Sequence, residues 1–437
     1  MQLKPFKSIS GALAVASLNA VAPAQAAWFE DSDDHDWQFD TAVMAYAEGD
    51  DRVQALEGAV VATRTDGDDN TLSLSATIDS LTGASPTGAV QQTQAQTFTR
   101  PSGNGSYTVA AGATPLDDTF KDTRVQLNAG WAANINRYWQ YDVGGHLSKE
   151  YDYLSLGING GLARHFNNKN TTVRLGSSVF FDTFEPEGGL PVALAAMVKR
   201  SDFATDEAFQ QAFDATRAGS NDTKTIVEAT LGLTQVINRS TVMQVNYSYA
   251  EASGYLTDPF KLVSVVDGSG TVQSHRYEQR PDSRRKHAFF WQTKTHLGGP
   301  VLDVSYRFMS DDWQVDSHTV DGRVDYRLSN GHYLEPHLRY YQQSSAEFYR
   351  PYLLAGQPLP TGLDAVSADY RLAKMTTYTI GVKYGMPRAN GDEMAWRLEY
   401  YLQQPNGNRS DQPGQLAGVD LTPEVTALML QFSYRFH

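Results

Sequence analysis

Large apolar or aromatic residues recur at every second position through most of this chain, in segments of about 10–14 residues. "VMQVNYSYA" sets Met243, Val245, Tyr247 and Tyr249 against Gln244, Asn246 and Ser248. "VLDVSYRFM" sets Leu302, Val304, Tyr306 and Phe308 against Asp303, Ser305 and Arg307, and "AWRLEYYLQ" sets Trp396, Leu398, Tyr400 and Leu402 against Arg397, Glu399 and Tyr401. A helix needs apolar residues three and four apart, and these segments do not supply them. The chain is thereby committed to strands with one apolar and one polar face. The pattern predicts about sixteen of them, near residues 37–48, 53–65, 70–80, 122–135, 138–150, 153–166, 170–182, 223–237, 241–253, 285–297, 300–311, 314–328, 332–343, 369–385, 393–404 and 425–436.

The connections between these segments alternate as well. Every second one is short and turn-like: "TDGDDN", "NINR", "HFNNKN", "INRS", "LGGP", "LSNGH" and "GMPRANGD". The long ones, 81–121, 183–222, 254–284, 344–368 and 405–424, all fall in the other set. Short periplasmic turns facing long external loops are the plan of an outer-membrane β-barrel, and an even strand count puts both ends of the barrel on the periplasmic side. The fold class expected is therefore all-β: a transmembrane, antiparallel, up-and-down barrel. A β-sandwich also alternates, but its apolar face lies inside and needs no aromatic girdle. A solenoid would show a fixed repeat, and there is none.

Composition agrees. Tyr (23) and Phe (19) are abundant in a chain whose mean hydropathy is only −0.43. The 437 residues include no cysteine, which excludes Cys-ligated zinc, iron–sulfur clusters and c-type haem attachment. No cofactor is expected. The net charge of −14 argues against a general nucleic-acid binder. Lys4 and Lys7, the apolar run "GALAVASLNAVA" and Ala24-Gln25-Ala26 read as a signal peptide over residues 1–26. Residues 27–36 form an acidic tail and 37–437 the barrel. The expected location is the outer membrane of a Gram-negative bacterium, with membrane lipid around the strands.

In the closing segment "LMLQFSYRFH", Phe432, Tyr434 and Phe436 alternate with Gln431, Ser433 and Arg435. A last strand must seal against the first, and its aromatics belong at the membrane interface. Such a strand is also the type of signal read by the barrel-assembly machinery, an expected partner.

Several stretches go beyond periodicity: "LTGASPTGA" (81–89), "LDDTFKDTR" (116–124), "GYLTDPFK" (254–261), "RYEQRPDSRRKH" (276–287), "DDWQVDSHT" (311–319), "EPHLRYYQQSSAEFY" (335–349) and "ADYRLA" (368–373). Together they resemble the proteobacterial and bacteroidete family known as domain of unknown function 3570, over nearly the whole mature chain. The resemblance implies an outer-membrane barrel and brings no settled activity. The neighbourhood of such genes implies partners: periplasmic thioredoxin-like redox proteins, a small lipoprotein and a flavin transferase.

Candidate functional residues follow from strand parity. The inward rows would carry Asp303, Ser305 and Arg307; Thr319, Asp321, Arg323, Asp325 and Arg327; Glu335, His337 and Arg339; Lys383; and Arg397 and Glu399. Opposite charges on neighbouring strands can pair across the ladder. This is either a mixed-charge wall that selects solutes or a network that keeps a polar wall satisfied. The loops carry Asp258, Lys261, Arg276, Glu278, Arg280 and Arg284, then Glu347, Phe348, Tyr349 and Arg350, with Asp369 and Arg371 at a strand start. Folded inward, they would form a plug in which Arg280 and Arg284 clamp carboxylates or phosphates; otherwise they pack loop against loop. "TDEAFQQAFDATRAG" predicts a short helix capped by Thr205 or Asp206, with Ala208, Phe209, Ala212 and Phe213 on one face and Gly219 beyond it.

Metal and catalytic signals are weak. Parity turns His318 away from Glu335 and His337, so no ligand set forms. "DSDDHD" (31–36) would hold calcium only loosely and reads as a solvated tail. Ser317 and His318, adjacent in a strand, point to opposite faces. No Gly-x-Ser-x-Gly, phosphate loop or His-Glu-x-x-His occurs. The leading expectation is a channel or transporter for small solutes. The alternative is a plugged barrel that sheathes a periplasmic redox or flavoprotein system, and a barrel enzyme ranks below both.

Overall fold

A computed structural model gives the architecture. It describes residues 37–50, 52–359, 364–406 and 411–437, and only the backbone of 118–120. The signal peptide and the acidic tail with "DSDDHD" lie outside the described residues.

Sixteen strands close into one antiparallel barrel. In chain order they are β1 (Trp37–Glu48), β2 (Gln54–Thr65), β3 (Thr71–Pro86), β4 (Leu116–Asn136), β5 (Trp139–Lys149), β6 (Tyr153–Phe166), β7 (Thr171–Phe184) and β8 (Asp222–Asn238). The ring continues with β9 (Thr241–Gly254), β10 (Ser283–His296), β11 (Val301–Asp311), β12 (Asp316–Arg327), β13 (Tyr333–Gln343), β14 (Met375–Pro387), β15 (Glu393–Pro405) and β16 (Val425–Phe436). Each strand pairs with its sequence neighbours, as in an up-and-down barrel.

Alternation decides which face meets which medium. Val43, Leu56, Ile78, Leu231, Leu338, Ile380, Leu398 and Leu428 stand exposed on the outer wall, where a bilayer would cover them. The polar rows point into the lumen. The seam is sealed by β16 on β1: Phe39 pairs with Phe436, Asp40 with Arg435 and Thr41 with Tyr434. The Phe39 and Phe436 rings lie 5.1 Å apart on the outer side, and inside Arg435 Nε reaches Asp40 Oδ1 at 2.7 Å. Phe432 packs on Trp396 at 4.7 Å, and the Tyr434 hydroxyl donates to Asp392 at 2.8 Å. These three aromatics thus form part of a girdle at the short-turn end.

Three boundaries differ from expectation by more than two residues. β3 and β4 run on past the predicted loop edges, because a bulge at Gly83 (φ 126°) lets the hairpin bend and keep pairing. β14 begins at Met375 rather than 369. Asp369 instead caps a 3₁₀ turn, Tyr370–Leu372, by accepting from Arg371 N at 3.0 Å.

The five long loops fold into one cap over their end of the barrel. Leu262–Val266 pairs antiparallel with Val272–Tyr277 and parallel with Tyr352–Leu354, giving a small sheet of its own. Helix α1 (Asp206–Asp214) is N-capped by Thr205 and buries Phe209 and Phe213. The fully buried centre of the cap includes Phe98, Val263, Val266 and Val366. Gly219 lies beyond α1 in a short strand, Arg217–Gly219, paired with Leu190–Pro191.

Candidate functional site

Register turns the inward rows into a map of the lumen. Asp303 stands beside Arg323, Ser305 beside Asp321, and Arg307 beside Thr319. Asp321 stands beside Arg339, and Arg323 beside His337. All the lumen residues expected from parity on β11–β15 share this face. Many are joined. His337 Nε2 lies 2.9 Å from Asp321, and its Nδ1 lies 2.8 Å from Glu399. Carboxylate oxygens only accept, so both contacts are hydrogen bonds only when each ring nitrogen carries a proton. Arg397 bridges Glu399 (3.1 Å) and Glu335 (3.0 Å). Arg323 reaches Asp321 at 3.6 Å. Gln292 donates to Asp303 at 2.8 Å, while Asp325 keeps one buried oxygen without a hydrogen bond.

The charges are not spread evenly. On β10–β13 the inward cations Arg284, Lys286, Lys294, Arg307, Arg323, Arg327 and Arg339 outnumber the inward carboxylates Asp303, Asp311, Asp321, Asp325 and Glu335. On β2–β5 the balance reverses: Glu57, Asp79, Asp122 and Asp142 face inward, with Arg124 the one inward cation among the described residues. In a closed ring of sixteen, strands eight apart stand opposite. The basic and acidic walls therefore face each other across the lumen.

The loop residues behave differently from the lumen rows. Arg280 donates to Glu278 (2.5 Å) and Asp369 (2.7 Å), and Arg371 donates to Asp369 (2.8 Å) and Asp258 (2.8 Å). The Asp258 amide donates to Glu278 at 2.8 Å, Ser367 donates to the same carboxylate, and Lys261 donates to the Pro86 carbonyl. Lys261, Glu278 and Asp369 are each 1% exposed. Burial works to raise Asp258 and Asp369, but the neighbouring cations outweigh it and hold both carboxyls below their usual range, Asp369 far below. Burial prevails at Glu278 and pushes it up, and it pushes Lys261 down. Arg280 and Arg284, solute clamps in the plug reading and internal contacts in the packing one, hold carboxylates of the chain itself: Arg280 as above, and Arg284 on Asp311 with Nε at 2.8 Å. Arg276 lies outside the cluster, exposed, and donates to the Leu194 carbonyl at 2.9 Å.

The quoted motifs therefore supply the interior of the cap. "GYLTDPFK", "RYEQRPDSRRKH" and "ADYRLA" meet in the charge cluster, while Trp313, Val315, Ala346 and Phe348, from the neighbouring motifs, form a hydrophobic core with Leu372 beside it. The family model described as "Protein of unknown function (DUF3570)" matches residues 10–436. The chain belongs to the DUF3570 family. No curated protein matches it. Among solved structures, this DUF3570 protein is similar to OccK5 (OpdH) of Pseudomonas aeruginosa, with 9% identity over 92% of this chain and 98% of that one and a TM-score of 0.41. A bacterial polysaccharide outer membrane secretin matches at 10% identity over 92% and 98%, with a TM-score of 0.42. A ferric enterobactin receptor mutant from Pseudomonas aeruginosa matches at 8% identity over 86% and 55%, with a TM-score of 0.41.

Sequence reading missed much of the acidic half of the DUF3570 lumen. Arg124 pairs with Asp79, Arg174 with Asp142 (2.7 Å) and Lys224 with Asp182 (3.1 Å). The signal was present, since parity also places these residues inward. Their inward rows carry sparse charges among Gly, Ser, Thr or Asn rather than the dense charged runs of β12 and β13.

Proposed function

We propose that this protein is an outer-membrane channel for small solutes, roofed at its external end by the loop cap, in a Gram-negative bacterium that exports it on its signal peptide. The observation that carries this reading is the pair of opposed charged walls in a sixteen-strand lumen. Barrels of this strand number are wide enough for water, and unlike walls set a field across the path of a solute. No catalysis is assigned to the chain. The barrel-assembly machinery would read Phe432, Tyr434 and Phe436. The test is single-channel conductance of purified, folded protein in a planar bilayer. Steady ohmic steps with a salt-dependent ion preference support the channel, and silence from protein shown to be folded overturns it.

The cap supports a second reading. It spans loops from all around the mouth, as a sealed scaffold for periplasmic redox partners or a lipoprotein would require. Recovery from membranes with assembly factors and no redox protein would count against that role.

A further inference from the structure

Inward arginines in this barrel are of two kinds. Arg124, Arg174, Arg284, Arg397 and Arg435 each meet a carboxylate. Arg307 and Arg339 have no ion pair or hydrogen bond among the described residues. They are also placed together. Arg307 on β11 is in register with Thr319 on β12 and Tyr341 on β13, and Arg339 stands one pleat from Tyr341, in register with Asp321 and Ser305. With strands about 4.8 Å apart and about 6.7 Å per pleat, their Cα atoms are about 12 Å apart on one face.

The surroundings orient this pair. Arg307 lies 5.4 Å from the ring centre of inward Phe290 on β10, a contact that steadies the guanidinium while leaving its N–H donors free. Thr319 stands on β12 between the two arginine-bearing strands, Ser305 stands on β11 one pleat from Arg307, and neither hydroxyl carries a hydrogen bond among the described residues. Asp321, the carboxylate in register with Arg339, is engaged by His337 at 2.9 Å and Arg323 at 3.6 Å. Two forked donors and two hydroxyls match an oxyanion. We propose that Arg307 and Arg339, with Thr319 and Ser305, form a lumen site for small solutes bearing a carboxylate or phosphate group. The site rests on the water-filled lumen of the channel reading and adds the class of solute.

Titration calorimetry of the folded, full chain in neutral detergent and low salt tests this, with succinate and inorganic phosphate as probes. Saturable binding of at least one is expected, weakened at least tenfold in Arg307→Gln and in Arg339→Gln. Arg285→Gln, on the lipid face, should bind as the parent does. No binding of either probe, or binding that both Gln variants retain, overturns the site. If a Gln variant does not fold, Arg307→Lys and Arg339→Lys keep the charge and lose the fork, and unchanged affinity in both is equally fatal. Arginine-dependent binding by a protein silent in bilayers would remove the channel and keep the site. Steady conductance without such binding would do the reverse.

Discussion

Arg371 shows how much one side chain can hold in this molecule. It lies between Asp258 and Asp369 in the cap, and its removal leaves two carboxylates buried with less cation beside them. Breaking a buried pair in this way costs roughly 3–5 kcal/mol. Arg371→Ala should therefore be cut faster by protease within 344–374 while the barrel still shifts on heating in a gel, and equal cutting rates would refute the assignment. His275 gives a pH-dependent counterpart. It is 2% exposed, lies 4.8 Å from the Phe98 ring and 3.2 Å from Ser264 Oγ, and burial, helped by the Lys199 charge, pushes it down to about 3. Unfolded histidine titrates near 6.5, at about the ordinary value. Between those values the unfolded cap binds the extra proton, so cap stability falls as pH drops from about 6.5 towards 3. The ratio of cleavage rates between parent and His275→Asn should change across that window; a constant ratio would mean His275 is not responsible. Parity made the inward rows of β11–β15 legible in the sequence, because one inward residue fixes every other on its strand. Partners were not legible. Sequence left the loop charges open between solute contacts and loop-to-loop packing, because it shows a charge but not the path that brings Asp258 under Arg371, 113 residues away.

Among the elements, β16 has the clearest duty. Phe436→Ala removes the ring stacked on Phe39 at the seam, and it should lower the amount of heat-modifiable, folded protein in the outer membrane; unchanged levels would show that the girdle aromatic is dispensable. In the cap, Gly270 has φ 79°, and a Cβ there would stand 2.4 Å from the Pro413 carbonyl oxygen. Gly270→Ala should separate loop 255–282 from loop 406–424, at a cost of about 1–3 kcal/mol for the strained backbone, and make cleavage near 406–424 faster. No change in cleavage there would refute that contact. The sixteen barrel strands could be seen in the sequence because each divides lipid from water and must alternate. Leu262–Val266 could not, since nearly every residue of "LVSVV" is buried on both faces and its parallel partner, Tyr352–Leu354, lies far along the chain. Helix α1 could be seen, because Thr205 caps it and Phe209 and Phe213 keep helical spacing on its buried face.

At the scale of the molecule, barrel and cap are held by different forces. The barrel is a continuous ladder of backbone hydrogen bonds, whereas the cap depends on small apolar cores and on one charge cluster. On heating, the cap should be lost first. Trp313, packed on Phe348 at 5.0 Å in the cap, would report that loss by fluorescence before gel mobility reports the barrel; a single coincident transition would show the two to be one cooperative unit. The cap is also linked to the closure of the barrel. Segment 406–424 brings Leu416 into the cluster with Val90 and Val266, and Gln415 donates to Gln92 at 2.9 Å. That segment joins the final pair of strands, β15 and β16. The roof is thus tied to the strand that closes the ring, so a barrel left open at its seam would also lack part of its roof.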